Sequence, residues 1–189
     1  DAQQGSRRTP GWAGDRRIMR LEVLFPALGD SMADLLSKQY GLVAILDALG
    51  AAAYPDAKIR EFLAARSQIN SDVRSFAKGI PDETYRLPEI FTFGDTVILA
   101  SRFSKDEDPS PHMGITIMAL RRYLYYSMKK GILFRGAFSI GEYIADSQSN
   151  TVMGEAVSDA ASWYQESEWV GVCSTPKAKI SVNHLEHAF

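Results

Sequence analysis

The stretch GLVAILDALG, residues 41–50, decides the fold. It is short, apolar and closed by glycine, which reads as a buried strand followed by a tight turn. The strand ends on an acid, Asp47. A second run has the same ending: EIFTFGDTVILAS, residues 89–101, carries Asp95 directly behind Gly94. Burying a lone carboxylate is costly or drives its pKa up. Two such acids on neighbouring strands repel each other unless a cation sits between them. The pair therefore points to a divalent metal site, for two ions and a nucleotide.

Working outward, Gly94-Asp95 joins two runs rich in β-branched residues, 85–93 and 96–102, into a hairpin. Between the first strand and this hairpin lies a long helical segment from about 55 to 78. Its apolar positions Ile59, Phe62, Leu63, Ile69, Val73 and Phe76 recur at helical spacing, with Pro55 suited to the first turn and Gly79 to the end. After the polar loop SKDEDPSPH, a second helix is expected over 113–130, with Ile117, Leu120, Leu124 and Met128 inward. Residues 132–144 read as a strand bent at Gly141, TVMG (151–154) as a short strand, and EAVSDAASWYQES (155–167) as a third helix. WVGVCST (169–175) and AKISVN (178–183) read as further strands. Near the start, ALGDSMADLLSKQ (27–39) reads as a short helix capped by Asp30 or Ser31. The order is that of an α+β domain with a ferredoxin-like βαββαβ core and added elements. Residues 1–28 read as a basic N-terminal arm or extension, and 29–189 as the folded domain.

Composition narrows the function. The chain has 189 residues with 46% hydrophobic content, which suits one well-packed core. A net charge of −2 with no long charge block argues against non-specific nucleic-acid binding, which needs a basic face. The single cysteine, Cys173, excludes an internal disulfide and suits a reducing, cytoplasmic setting; it reads as a core residue. No apolar run approaches the ~18–20 residues of a membrane span. His112, His184 and His187 show no zinc-ligand spacing, and no Ser-His-Asp arrangement is visible.

At the site itself, Asp47 and Asp95 are candidate ligands for Mg2+ or Mn2+, which prefer oxygen donors and keep positions open for substrate phosphates. The backbone N–H groups of Leu49, Gly50 and Ala51 are candidates to cradle phosphate oxygens. Taken singly, Asp47 also reads as a turn cap and Gly94-Asp95 as an ordinary turn. It is their convergence at one end of a sheet that makes a site.

These motifs resemble the catalytic domain of class III nucleotidyl cyclases. That family has a strand-Asp-turn, a Gly-Asp hairpin, an R-x-G-x-x-x-G strand and a later W-G-x-x-V-N-x-A segment. The counterparts here are ILDALG, FGDTVILA, RGAFSIG and MGEAVSDAA, within residues 41–172. The resemblance implies two metals held by Asp47, Asp95 and the Ala48 carbonyl. It also implies in-line attack of a ribose 3′-hydroxyl on the α-phosphate, release of pyrophosphate, and a homodimer with sites at the interface.

The departures are informative. The positions that read the purine edge in that family fall on Phe91 and Thr151; the asparagine and arginine that serve ribose and transition state fall on Ser158 and Ser162. Replacement cations are sought among Arg102, Lys177 and Lys179. Loss of purine readers with retention of both acids is similar to the bacterial pyrimidine cyclases of anti-phage signalling (Pycsar). That similarity implies UTP or CTP as substrate, with UTP favoured. It also implies a cyclic pyrimidine mononucleotide as product and a separate effector that the product activates. Tyr54, just past the phosphate turn, is a candidate base or ribose contact. The alternatives are a purine cyclase with unusual base contacts and a cyclase-like binding module without turnover. A polymerase-type or diguanylate-cyclase site ranks lower, because Thr96 rather than a second acid follows Asp95.

Overall fold

Val43 and Ile45 point to one side of the first strand, Leu42, Ala44 and Leu46 to the other, and all five are buried. A strand covered on both faces has no polar alternation to show, and this is why 41–46 reads as a continuous apolar run. The computed structural model describes residues 37–78, 87–166 and 169–180. These lie within one unit, Leu35–Phe189. The arm expected over 1–28 and most of the helix expected over 27–39 fall outside the described residues.

The first strand, β1, is Gln39–Ala48. A single 3-10 turn, Ala51–Ala53, leads into α1 (Asp56–Lys78). The hairpin β2 (Glu89–Phe93) and β3 (Thr96–Arg102) follows, then α2 (Ser110–Lys129). The chain continues through β4 (Phe134–Asp146), β5 (Thr151–Met153), α3 (Glu155–Tyr164) and β6 (Gly171–Ser174). The sheet order is β2-β3-β1-β4-β5, with β6 parallel beside β4. Its central part, β4-β1-β3-β2, is antiparallel throughout. With α1 and α2 as the two crossovers, that is the ferredoxin-like core expected from the sequence.

The two faces of the sheet are buried differently. Leu42, Ala44 and Leu46 pack with Phe62, Ile69 and Val73 of α1 and with Met113, Leu120 and Tyr123 of α2. Val43 and Ile45 pack with Phe91, Ile98 and Tyr143 under Ala156 and Ala160 of α3. Small residues on α3 let the helix lie close to the sheet. Among the described residues, no helix is long and apolar enough to cross a membrane.

Several expected details differ. Of the expected inward face of α2, Leu120 is buried and Leu124 packs partly buried against the core, but Ile117 and Met128 are exposed, and Thr116, Tyr123 and Ser127 are buried beside Leu120. Burial of the two polar residues is possible because each hydroxyl donates to the carbonyl one turn back, Thr116 to His112 and Ser127 to Tyr123. On α1, Ile59 and Leu63 are likewise exposed. AKISVN does not form a strand where it is described: 176–180 is helical. Thr175 caps this turn through its hydroxyl, which accepts the Ala178 N–H at 3.2 Å, and Pro176 occupies the first helical position. Cys173 is half-buried rather than in the core.

Gly136 shows how tightly β1 and β4 are matched. A Cβ there would lie 2.3 Å from the Ile45 carbonyl oxygen and 2.9 Å from a Leu46 methyl. Gly136→Ala is therefore expected to destabilise the protein by about 1–3 kcal/mol, as overpacking of a filled interior does. Denaturant unfolding checks this; an unchanged midpoint contradicts the packing described.

Candidate active site

The end of β1 is where the acids meet. Asp47 sits opposite Thr96 in β3 and opposite Arg135 in β4. Asp95 immediately precedes Thr96, at the tip of the β2–β3 hairpin. Its carbonyl accepts the Ala48 N–H at 3.3 Å, tying the tip to the end of β1. Gly94 makes the turn possible, since its φ of 57° is one that side-chain-bearing residues rarely adopt. Alternation along β1 sends Asp47 to the same face as Val43 and Ile45, the one covered by α3.

Asp47 is 19% exposed, and Arg135 is its partner, with Nε 3.4 Å from Oδ2. Burial raises the Asp47 pKa above the usual aspartate range, and the charge of Asp95 raises it further; Arg135 opposes both and does not overcome them. An arginine at a separation too long for a strong ion pair leaves the two-acid cluster under-compensated. That donor set, two carboxylates with unrelieved repulsion at a strand end, fits divalent cations. No group of three or more His, Cys, Asp or Glu side chains comes together among the described residues. Backbone carbonyls such as that of Ala48, water and substrate oxygens would have to complete any coordination shell.

The turn after β1 is only partly as expected. Gly50 adopts φ 74° at the start of the 3-10 turn, and its surroundings are open. The N–H groups of Gly50, Ala51 and Ala52 have no protein acceptor among the described residues, whereas Ala53 and Tyr54 donate back to Gly50 and Ala51. Leu49 is the correction: its N–H donates to the Leu133 carbonyl at 2.8 Å, so it closes the turn onto the segment before β4 and is not available to a phosphate.

The remaining expected residues divide. Tyr54 is half-buried, edge-on to Phe62 with ring centroids 6.0 Å apart, and carries Lys58 over its ring at 4.2 Å. Phe91 is fully buried in the layer under α3, so its side chain is core. Thr151 begins β5, its hydroxyl 2.9 Å from that of Ser149. Its neighbour Asn150 stitches this hairpin to β2, giving and receiving hydrogen bonds with the backbone of Thr92 at 2.9 and 3.2 Å. Phe91 and Thr151 are thus on joined elements, and neither presents a charged group.

The replacement cations named from sequence are elsewhere. Arg102 pairs with Gly41, at the opposite end of β1 from Asp47. Lys177 is engaged by Glu155 at 2.6 Å. Lys179 lies in the helical turn after β6. Among the described residues, Arg135 pairs with Asp47, and Arg66 reaches the Gly94 carbonyl next to Asp95 from α1. In the sequence, Arg135 stands out only as part of the R-x-G motif. The signal for its role was its register: two strands that flank β1 must place one residue each opposite Asp47. Arg135 also lies beneath the Tyr164 ring of α3, 5.9 Å from its centroid. An apolar cavity of about 200 Å³ between α1, β2 and α2 contains none of these residues.

Among solved structures, the chain is similar to the adenylyl cyclase CyaB from P. aeruginosa. The match has a TM-score of 0.51 and 12% sequence identity, over 78% of this chain and 82% of that one. The fold is class III cyclase-like. No protein-family model matches the chain, and no curated protein does. The likeness therefore lies in the fold of the backbone rather than in the sequence.

The raised pKa of Asp47 has a definite sign. The folded protein holds this proton to higher pH than the unfolded chain does. The stabilisation is present below the unfolded pKa and lost as pH rises through the folded one. Asp47→Asn, which mimics the neutral form, is expected to match the wild type in acid. It should become the more stable of the two as pH rises from about 3 to about 8 in chelator. A stability difference that does not change with pH contradicts this.

Proposed function

We propose that the protein is a metal-dependent nucleotide cyclase that converts UTP or CTP to the 3′,5′-cyclic mononucleotide and pyrophosphate. The observation that carries the reading is the junction of Asp47 and Asp95 at one end of a class III cyclase-like sheet, with too little positive charge to neutralise both. Asp47, Asp95 and the Ala48 carbonyl would hold two Mn2+ or Mg2+ ions. When bound, these ions would lower the pKa of the ribose hydroxyl and neutralise the triphosphate. The unpaired N–H groups of Gly50, Ala51 and Ala52 would receive phosphate oxygens. Arg135, partly exposed and released once a cation takes over Asp47, would turn its guanidinium to the same anion. The 3′-oxygen forms a bond to the α-phosphorus, the bond to the bridging oxygen breaks, pyrophosphate leaves, and the hydroxyl proton passes to water.

The pyrimidine preference rests on what the two base-reading positions lack. A buried Phe91 and a short Thr151 give no carboxylate or ammonium for a purine edge. Tyr54 stays as a candidate ribose or base contact, with its packing against Phe62 limiting it to the exposed rim of the ring. The homodimer reading is supported by apolar side chains that flank the site in the chain and stay exposed. Phe93 precedes Gly94, Leu133 follows the α2 turn, and Trp169 and Val170 precede β6. A cytoplasmic role in anti-phage signalling, through a separate effector that binds the cyclic product, completes the proposal.

Incubation of the protein with each of the four triphosphates and Mn2+ tests the chemistry. Cyclic UMP or cyclic CMP is expected as the main product, and Asp95→Asn is expected to lose at least roughly 100-fold in turnover, the scale of removing an electrostatic anchor for the reacting charge. Cyclic AMP or cyclic GMP as the main product contradicts the substrate assignment. No turnover on any of the four favours a binding module, which the absence of a cation at Ser158 and Ser162 would suit. Activity per subunit is expected to fall on dilution; activity that holds far below the dimer dissociation constant removes the shared site.

A further inference from the structure

Arg66 stands where the packing of α1 calls for an apolar side chain. Phe62, Ile69 and Val73 are buried and mark the inward stripe of the helix, and residue 66 falls between them on that stripe. Its guanidinium lies 5.7 Å from the Phe62 ring centroid. It is also near enough to the fully buried Tyr123 for its charge to act on that phenol, whose oxygen has no hydrogen-bond partner among the described residues. Among the described residues Arg66 has no carboxylate partner. Its hydrogen bond runs instead to the carbonyl of Gly94, the left-handed residue on which the β2–β3 hairpin turns.

The tip carrying Asp95 is therefore held from two sides. The Ala48 N–H from β1 binds the Asp95 carbonyl, and Arg66 from α1 binds the carbonyl one residue earlier. We propose that Arg66 is a positioning residue that fixes the Gly94-Asp95 turn so that Asp95 presents its carboxylate beside Asp47 as a metal ligand. The inference rests on the metal reading of these two acids. The hairpin would otherwise yield to the repulsion between the carboxylates, since a glycine-centred turn has little stiffness of its own. A charge-assisted bond from a helix rooted in the core supplies the missing restraint.

Arg66→Met keeps the length and the apolar stem while removing every donor. Two measurements follow, amide hydrogen exchange without metal and Mn2+ binding by calorimetry. In Arg66→Met the amides of residues 94–96 are expected to exchange roughly tenfold faster, and Mn2+ to bind roughly tenfold more weakly, the scale of one hydrogen bond to a charged group. Arg66→Lys, which retains a cationic donor, should recover part of both effects and serves also if the methionine variant does not fold. Unchanged exchange at 94–96 overturns the positioning role whatever the metal does. Faster exchange with wild-type Mn2+ affinity overturns its link to the site. A wild-type protein that binds no Mn2+ overturns the metal reading and this inference with it, and the exchange measurement, which needs no metal, tells that failure from the others.

Discussion

Like charge at the end of β1 is the constraint on which the site depends. Asp47 and Asp95 are brought together by register: Asp47 faces Thr96 in the β1–β3 ladder, and the hairpin tip bonds to Ala48. A sheet that places two acids so closely gives up stability in the absence of a compensating cation. Arg135 meets part of that demand from β4 at 3.4 Å, and the Asp47 pKa stays raised despite it. Arg66 acts differently, on the backbone of the turn rather than on a carboxylate. The fold thus holds the acids in place without neutralising them, which is the condition a tight divalent site requires.

The surrounding architecture serves the same end. β1 is covered on both faces, so its backbone is rigid and its last residues cannot shift without disturbing two apolar clusters. Gly136 permits the close approach of β4 that puts Arg135 next to Asp47. α1 supplies Arg66, and at the 3-10 turn between β1 and α1 the N–H groups of Gly50, Ala51 and Ala52 have no protein acceptor among the described residues. Each element that touches the site is anchored in a core whose packing is apolar and dense.

Much of the fold was legible in the sequence because its strands are strongly marked. GLVAILD and the Gly-Asp hairpin mark β1, β2 and β3, and the two acids are visible as costly residues at strand ends. What escaped did so for physical reasons. The buried face of α2 carries Thr116 and Ser127, whose hydroxyls are satisfied within the helix, so a stripe drawn through Ile117 and Met128 is rotated from the true one. Arg66 on α1 was invisible for the related reason that periodicity counts only apolar residues. The helical turn at 176–180 followed from Thr175 and Pro176, a cap and first-position pair outweighed by the β-branched residues after it. The Leu49 N–H was assigned to a ligand because its partner, the Leu133 carbonyl, is distant in sequence. Arg135 could be found only once β1 was known to lie between β3 and β4.

The pair of acids, Asp47 and Asp95, is proposed as a metal-nucleotide centre. A crystal grown with Mn2+ and a non-cyclisable UTP analogue, measured at the manganese absorption edge, tests it most directly. Anomalous density is expected between the carboxylates of Asp47 and Asp95, with Arg135 turned from Asp47 to the triphosphate. Acids that remain paired with Arg135, with no anomalous density between them at saturating Mn2+, would contradict it.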